Sequence, residues 1–187
     1  MPKPELTKKL IADTLKKLAS DKHLDKISIS EIVDAAGLNR QTFYYHFKDK
    51  QELICWIFDT DVASLTDKKQ NNTLLDDIVE YIYSLQEFYI DALTSAVQNN
   101  LREHLFKYSY SRCMDELLSI LGERHMDEKL LNLFGCFFAH AVVGILVQWA
   151  QEGMQTDSIQ FLEECVPILK EQLVSVVESY ANGSNDK

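Results

Sequence analysis

The triplet Gly37-Leu38-Asn39 separates two apolar stretches that are each too short to be a stable helix alone, and it constrains the chain more than any other feature. Upstream, Ser28-Ile29-Ser30-Glu31 has the spacing of a capping box, in which hydroxyl and carboxylate satisfy free backbone N–H groups. The short helix it opens carries Ile32, Val33 and Ala36, and Gly37 ends it in the left-handed conformation of a tight turn. Downstream, Asn39 is an N-cap for a second short helix, Arg40 to Phe47. That helix packs four aromatics and a histidine into TFYYHF, residues 42–47, too short for a core and too aromatic for a surface loop. Phe43 and Phe47 are four apart and share one face, so they hold the helix to whatever lies beneath it.

A longer helix over residues 5–21, with Leu6, Leu10, Ile11, Thr14, Leu15 and Leu18 on one face, braces the pair. The arrangement is a helix-turn-helix, whose second helix enters the DNA major groove with its N-terminal residues toward base edges. Arg40, Gln41 and Thr42 hold those positions: Arg pairs bidentately with guanine, Gln with adenine, and the Thr methyl meets a thymine methyl. Tyr44, Tyr45 and His46 are left toward DNA or its backbone, where hydroxyl and imidazole donors suit phosphate oxygens.

The rest of the chain reads as helix as well. Asp49 caps a fourth helix bearing Leu53, Ile54, Ile57, Phe58 and Val62. After a polar break at 67–73, helical stretches run over about 74–97, 100–121, 127–152 and 158–181, with Gly122, Gly153 and Asn182-Gly183 marking ends. Pro167 predicts a kink or a split in the last of them, and the tail GSNDK predicts fraying. The expected organisation is all-α, with a helix-turn-helix DNA-binding domain over 1–50 and a helical regulatory and dimerisation domain over 51–187.

Charge divides the same way. Residues 1–50 hold ten Lys and Arg against seven Asp and Glu, a net of +3; the remainder holds nine against 22, a net of −13. A basic head can face phosphates while an acidic body repels them, although +3 over 50 residues is also ordinary surface scatter. The N-terminus has no apolar signal region, and the four cysteines lie far apart with no CxxC pair, the pattern of reduced thiols in a cytosolic protein. Leu133 to Ala150 reaches the length of a membrane span, but His140, Gln148 and the missing basic flank favour a helix buried in protein.

Gly37 to Leu53, GLNRQTFYYHFKDKQEL, resembles the helix-turn-helix signature of TetR-family transcriptional regulators: a glycine turn, T-[LF]-Y-x-[HY]-F, a helix cap, then Lys-x-x-Leu. The resemblance extends from about Leu10 to Ile57. It implies groove-facing roles for Arg40, Gln41, Thr42 and Tyr45, and phosphate contacts for Tyr44, His46, Lys50 and the hydroxyls of Ser28 and Ser30. It also implies a homodimer on double-stranded operator DNA, joined through the last two long helices. In overall texture the chain is similar to the dihydroxyacetone kinase operon activators of lactic-acid bacteria, which implies activation through a kinase-like co-regulator protein. The family at large implies the other mode, a small-molecule-released repressor with a ligand pocket in the C-terminal domain.

Other readings of the same residues stay open. The apolar helices after Met126 and Ser158 fit either a monomeric core or a two-fold four-helix interface. Tyr81, Tyr83, Phe88, Tyr89, Phe106, Tyr108 and Tyr110 fit either core or a ligand cavity. Lys8, Lys9, Lys16 and Lys17 form a solvated face, with Lys8 or Lys9 in reach of phosphate. His104, His125 and His140 lack the spacing of a metal site. No nucleophile elbow, P-loop or zincin motif appears, so no catalytic residue and no cofactor is expected, and an acidic protein-interaction module is the third class.

Overall fold

The computed structural model describes residues 4–66, 74–95 and 99–181, and every described element is helical. In order they are α1 (Pro4–Ala19), a 3-10 turn (Leu24–Lys26), α2 (Ile29–Ala35), α3 (Arg40–His46), α4 (Lys50–Thr66), α5 (Leu74–Ser84), α6 (Gln86–Thr94), α7 (Asn99–Leu121), α8 (Glu128–Gln151) and α9 (Ser158–Tyr180). The polar break at 67–73, residues 96–97 and the end at Asn182-Gly183 with its GSNDK tail lie outside the described residues. The chain forms two compact units, Met1–Leu101 with Ala150–Met154, and Arg102–Trp149 with Gln155–Lys187. The boundary expected after residue 50 falls inside the first of these, at the start of α4.

In the first unit α1 packs against α2, α3, α4 and α6, α4 packs on α5, and α6 packs on the 3-10 turn. Its interior is aliphatic and aromatic: Ile11 and Leu15 of α1, Ile32 of α2, Phe43 of α3 and Leu53, Ile57 and Phe58 of α4 are buried. A polar network crosses this packing. Lys16 of α1 donates to Asp61 of α4 at 3.1 Å, and the Tyr81 hydroxyl of α5 donates to the same carboxylate. Burial and that carboxylate push the Tyr81 hydroxyl pKa up, so it stays a donor.

The second unit packs α7, α8 and α9 around Leu117, Leu121, Met126, Phe138, Leu173 and Val177. Helices α7 and α8 approach closely at Gly135, where a Cβ would sit 2.5 Å from the Met114 sulfur and 3.0 Å from Tyr110. Trp149 stacks on Phe161 with centroids 4.4 Å apart and donates its indole N–H to Thr156 O at 2.9 Å.

Three expectations need correction. The stretch over 74–97 is two helices, broken at Leu85 (φ −123°, ψ 41°), with no glycine or proline to announce it. Pro167 does not split α9, which runs through it; Pro167 and Glu163 are exposed, so water can take the carbonyl that the missing N–H leaves free. Helix α8 is long and apolar enough to cross a membrane, and this chain buries only one face of it, through Phe138, Ala139, Leu146 and Trp149. Leu133 is 61% and Phe137 64% exposed, and His140 and Gly144 continue the same stripe.

Candidate DNA-reading head

The turn between α2 and α3 closes through backbone bonds at both ends of Gly37. Leu38 N–H donates to Val33 O at 2.8 Å and Gly37 N–H to Asp34 O at 3.2 Å, a Schellman ending with Gly37 at φ +66°. At that φ a side chain would be strained, although open space surrounds the position. Asn39 then caps α3, its side-chain oxygen accepting from Thr42 N–H at 2.8 Å and from the Thr42 hydroxyl at 3.0 Å. With its hydroxyl so engaged, Thr42 has chiefly its methyl to offer a base.

Helix α3 divides cleanly by face. Phe43 and Phe47 are buried, with ring centroids 5.8 Å apart, and Trp56 of α4 meets Phe47 edge-on at 5.8 Å. Arg40 and Gln41 are exposed at the N-terminus, Tyr45 is 79% and Tyr44 57% exposed, and His46 is half-buried against the Tyr45 ring. Of the seven residues of α3, four polar side chains, Arg40, Gln41, Tyr44 and Tyr45, are exposed, and Phe43 is the one buried.

Several of the expected contact residues are engaged within the protein. The Arg40 guanidinium rests on Ser30, donating from Nε at 2.9 Å and also from Nη2. Ser28 completes the capping box: its Oγ accepts from Glu31 N–H at 3.2 Å and its backbone N–H donates to the Glu31 carboxylate at 2.8 Å, with the hydroxyl donating to the same carboxylate at 2.9 Å. Glu31 also receives the Lys22 ammonium, and these hydrogen bonds, Lys22 foremost, hold its carboxyl down at about 2. Lys8 places its ammonium 5.9 Å from the Phe47 ring and 5.7 Å from Trp56.

Lys50 points inward. Its ammonium donates to Leu24 O and, at 2.9 Å, to Ile27 O, both carbonyls of the 3-10 region before α2. Sequence reasoning missed the group on the other side of that turn, Asp91 of α6. Its Oδ2 accepts from Leu24 N–H at 2.8 Å and its Oδ1 lies 2.8 Å from His23 Nδ1. A carboxylate 67 residues downstream leaves no local signal in the sequence. Among the described residues no three His, Cys, Asp or Glu side chains converge as a metal site.

Comparison with known proteins agrees with this geometry. Residues 11–54 match the family model described as bacterial regulatory proteins, tetR family, and residues 71–171 match one described as a transcriptional regulator C-terminal region. The HTH-type dhaKLM operon transcriptional activator DhaS of Lactococcus lactis subsp. lactis (strain IL1403) is 32% identical over 124 residues, 63% of this chain and 64% of that protein. The chain therefore aligns with just under two thirds of that relative's length. The biofilm operon icaADBC HTH-type negative transcriptional regulator IcaR of Staphylococcus aureus (strain Newman) is 20% identical over 181 residues, 91% of this chain and 96% of that one. Among solved structures, a dihydroxyacetone kinase operon activator DhaS superposes with a TM-score of 0.68 at 22% identity, covering 94% of this chain and 98% of that chain. With a polar-faced α3 built on a Schellman turn and family models over both parts of the chain, the protein belongs to the TetR family and is a transcriptional regulator, not an enzyme.

Proposed function

We propose that the chain is a cytoplasmic homodimer that reads a palindromic operator with one α3 per half-site. The observation that carries this is the division of α3: Phe43 and Phe47 buried, Arg40 and Gln41 outward at the N-terminal end that a major groove admits, and Tyr45 outward further along. Arg40, Gln41, Thr42 and Tyr45 face base edges, and Tyr44, His46, Ser28 and Ser30 lie toward phosphates. The exposed stripe on α8 supports the dimer, since apolar side chains such as Leu133 and Phe137 gain most from a second copy of the same surface.

The likeness to DhaS, a dhaKLM operon transcriptional activator, favours activation of a dihydroxyacetone kinase operon; a kinase-like co-regulator protein is the partner this reading adds. The likeness to IcaR, a negative transcriptional regulator, favours the second reading, repression; release by a small molecule bound in the C-terminal part is the mode this reading adds. Selection of bound duplexes from a random library, with the motif then mapped to its genome, tests the whole proposal. A two-fold motif with half-sites about one helical turn apart is expected. No enriched motif overturns it. A reporter behind the mapped operator then decides the sign: expression that falls when the chain is deleted supports activation, and expression that rises supports repression.

A further inference from the structure

The 3-10 turn Leu24–Lys26 is held by opposite charges on its N–H and carbonyl sides. Its leading N–H, on Leu24, is buried and goes to the Asp91 carboxylate of α6. Two carbonyls on its other side, Leu24 O and, one residue past the turn, Ile27 O, receive the Lys50 ammonium of α4. An anion at the N–H end and a cation at the carbonyl end match the polarity of the turn. Apolar packing fixes it from beneath, Leu24 and Ile27 being almost wholly buried. A further tie joins Ser95, just past α6, to both oxygens of Asp25 at 3.0 Å.

The turn leads directly into the end of α2 that lies beside the N-terminus of α3. Ile27 is adjacent to Ser28, the cap of α2, and Ser30 lies in its first turn and carries the Arg40 guanidinium. We propose that Lys50 and Asp91 are positioning residues for DNA recognition: they clamp the turn from two sides and set where Ser28, Ser30 and Arg40 meet the duplex, and neither touches DNA. The inference rests on the reading of α3 as the recognition helix, and it gives Lys50 a different role from the phosphate contact that family resemblance implies. An ammonium with two of its three protons on buried carbonyls has little left for a phosphate. Its desolvation, which lowers the Lys50 pKa despite the fields of Asp25 and Glu31, fits an inward-facing cation.

The test uses the full chain with two duplexes of equal length, one selected from a random library and one of random sequence. Binding of wild type, Lys50→Met and Asp91→Asn is measured over a range of salt, well below each variant's melting temperature. Each variant should bind the selected duplex roughly tenfold or more weakly, the loss typical of a charge-assisted hydrogen bond, with the random duplex much less affected. The salt slope of Lys50→Met should equal wild type, and the two losses should combine less than additively because both loosen one turn. Hydrogen exchange should show the Leu24 amide opening in Asp91→Asn while α3 amides keep their protection. A slope reduced by about one unit per subunit in Lys50→Met would overturn the clamp and restore the phosphate contact. Parallel losses on both duplexes would reduce the pair to fold stability alone, and would equally overturn it. A wild type with no preference between the duplexes would overturn the recognition helix itself, and the clamp with it.

Discussion

The reading head and helix α8 handle their aromatic residues in opposite ways. In α3 every purely apolar ring is buried, and those left in solvent, Tyr44 and Tyr45, carry hydroxyls. In α8 a phenylalanine and a leucine stand in solvent, Phe137 at 64% and Leu133 at 61% exposure, and a glycine opens the same stripe. A surface built for phosphates and base edges must be polar even where it is aromatic, because its partner is solvated and charged. A surface built for another protein face can remain apolar, since burial of both faces at once is the driving force. The head thus buries its apolar rings within one chain, and α8 leaves an apolar stripe in solvent.

The contrast is broken most severely at Gly144. Apart from its chain neighbours and the backbone of its own helix, nothing lies within 4 Å of a Cβ placed there, so Gly144→Arg should leave the single chain folded. Across a two-fold interface the same arginine would be buried without a partner, and the dimer should dissociate. Specific binding should then drop by about 10³-fold or more, toward the non-specific level. Analytical ultracentrifugation with an operator titration checks this; a monomer that keeps full affinity rejects the dimeric reader, and a persistent dimer places the interface elsewhere.

Within the head, the two faces of α3 should separate stability from binding. Phe43→Ala should cost about 3–5 kcal/mol in urea unfolding, as for a fully buried aromatic. Tyr45→Ala, at an exposed position, should leave the unfolding midpoint within about 0.5 kcal/mol and weaken DNA binding instead. Equal stability losses would mean that α3 has no free face.

Gln41→Ala is the smaller test of base reading, with a cost of about 1–3 kcal/mol on the selected site and relaxed preference at one position per half-site. Equal loss on random duplex would remove Gln41 from the groove. Smallest is the pH effect at Glu31. Its folded pKa, about 2, is depressed, so its contribution is present above the unfolded carboxylate range and fades as pH falls toward that value. The melting-temperature gap between wild type and Glu31→Gln should be constant above about pH 5 and close below it. A gap unchanged in acid would mean the carboxylate is not held by Lys22 and Ser28.

Sequence announces most clearly the features that neighbours in the chain decide. The capping box at Ser28, the left-handed Gly37, the Asn39 cap and the Phe43–Phe47 face are all set within four or five residues, and each is legible as composition and spacing. The break at Leu85 is not, because the apolar period continues through it and only packing selects the bend. Lys50 is visible as a residue, but its carbonyl partners lie 23 and 26 positions upstream, beyond any local spacing. Asp91 has no signal at all. Charged groups that bridge distant segments are what single-sequence reading resolves least.

The apolar stripe of α8 also bears on how a cell would meter this regulator. If the competent reader is a pair of chains, then below the dimer dissociation constant its concentration follows the square of the chain concentration. Halving synthesis would leave roughly a quarter of the readers, so promoter response would be steeper than gene dosage. Leu133 and Phe137 would thereby set a threshold on expression level, far in sequence from every residue that faces a base.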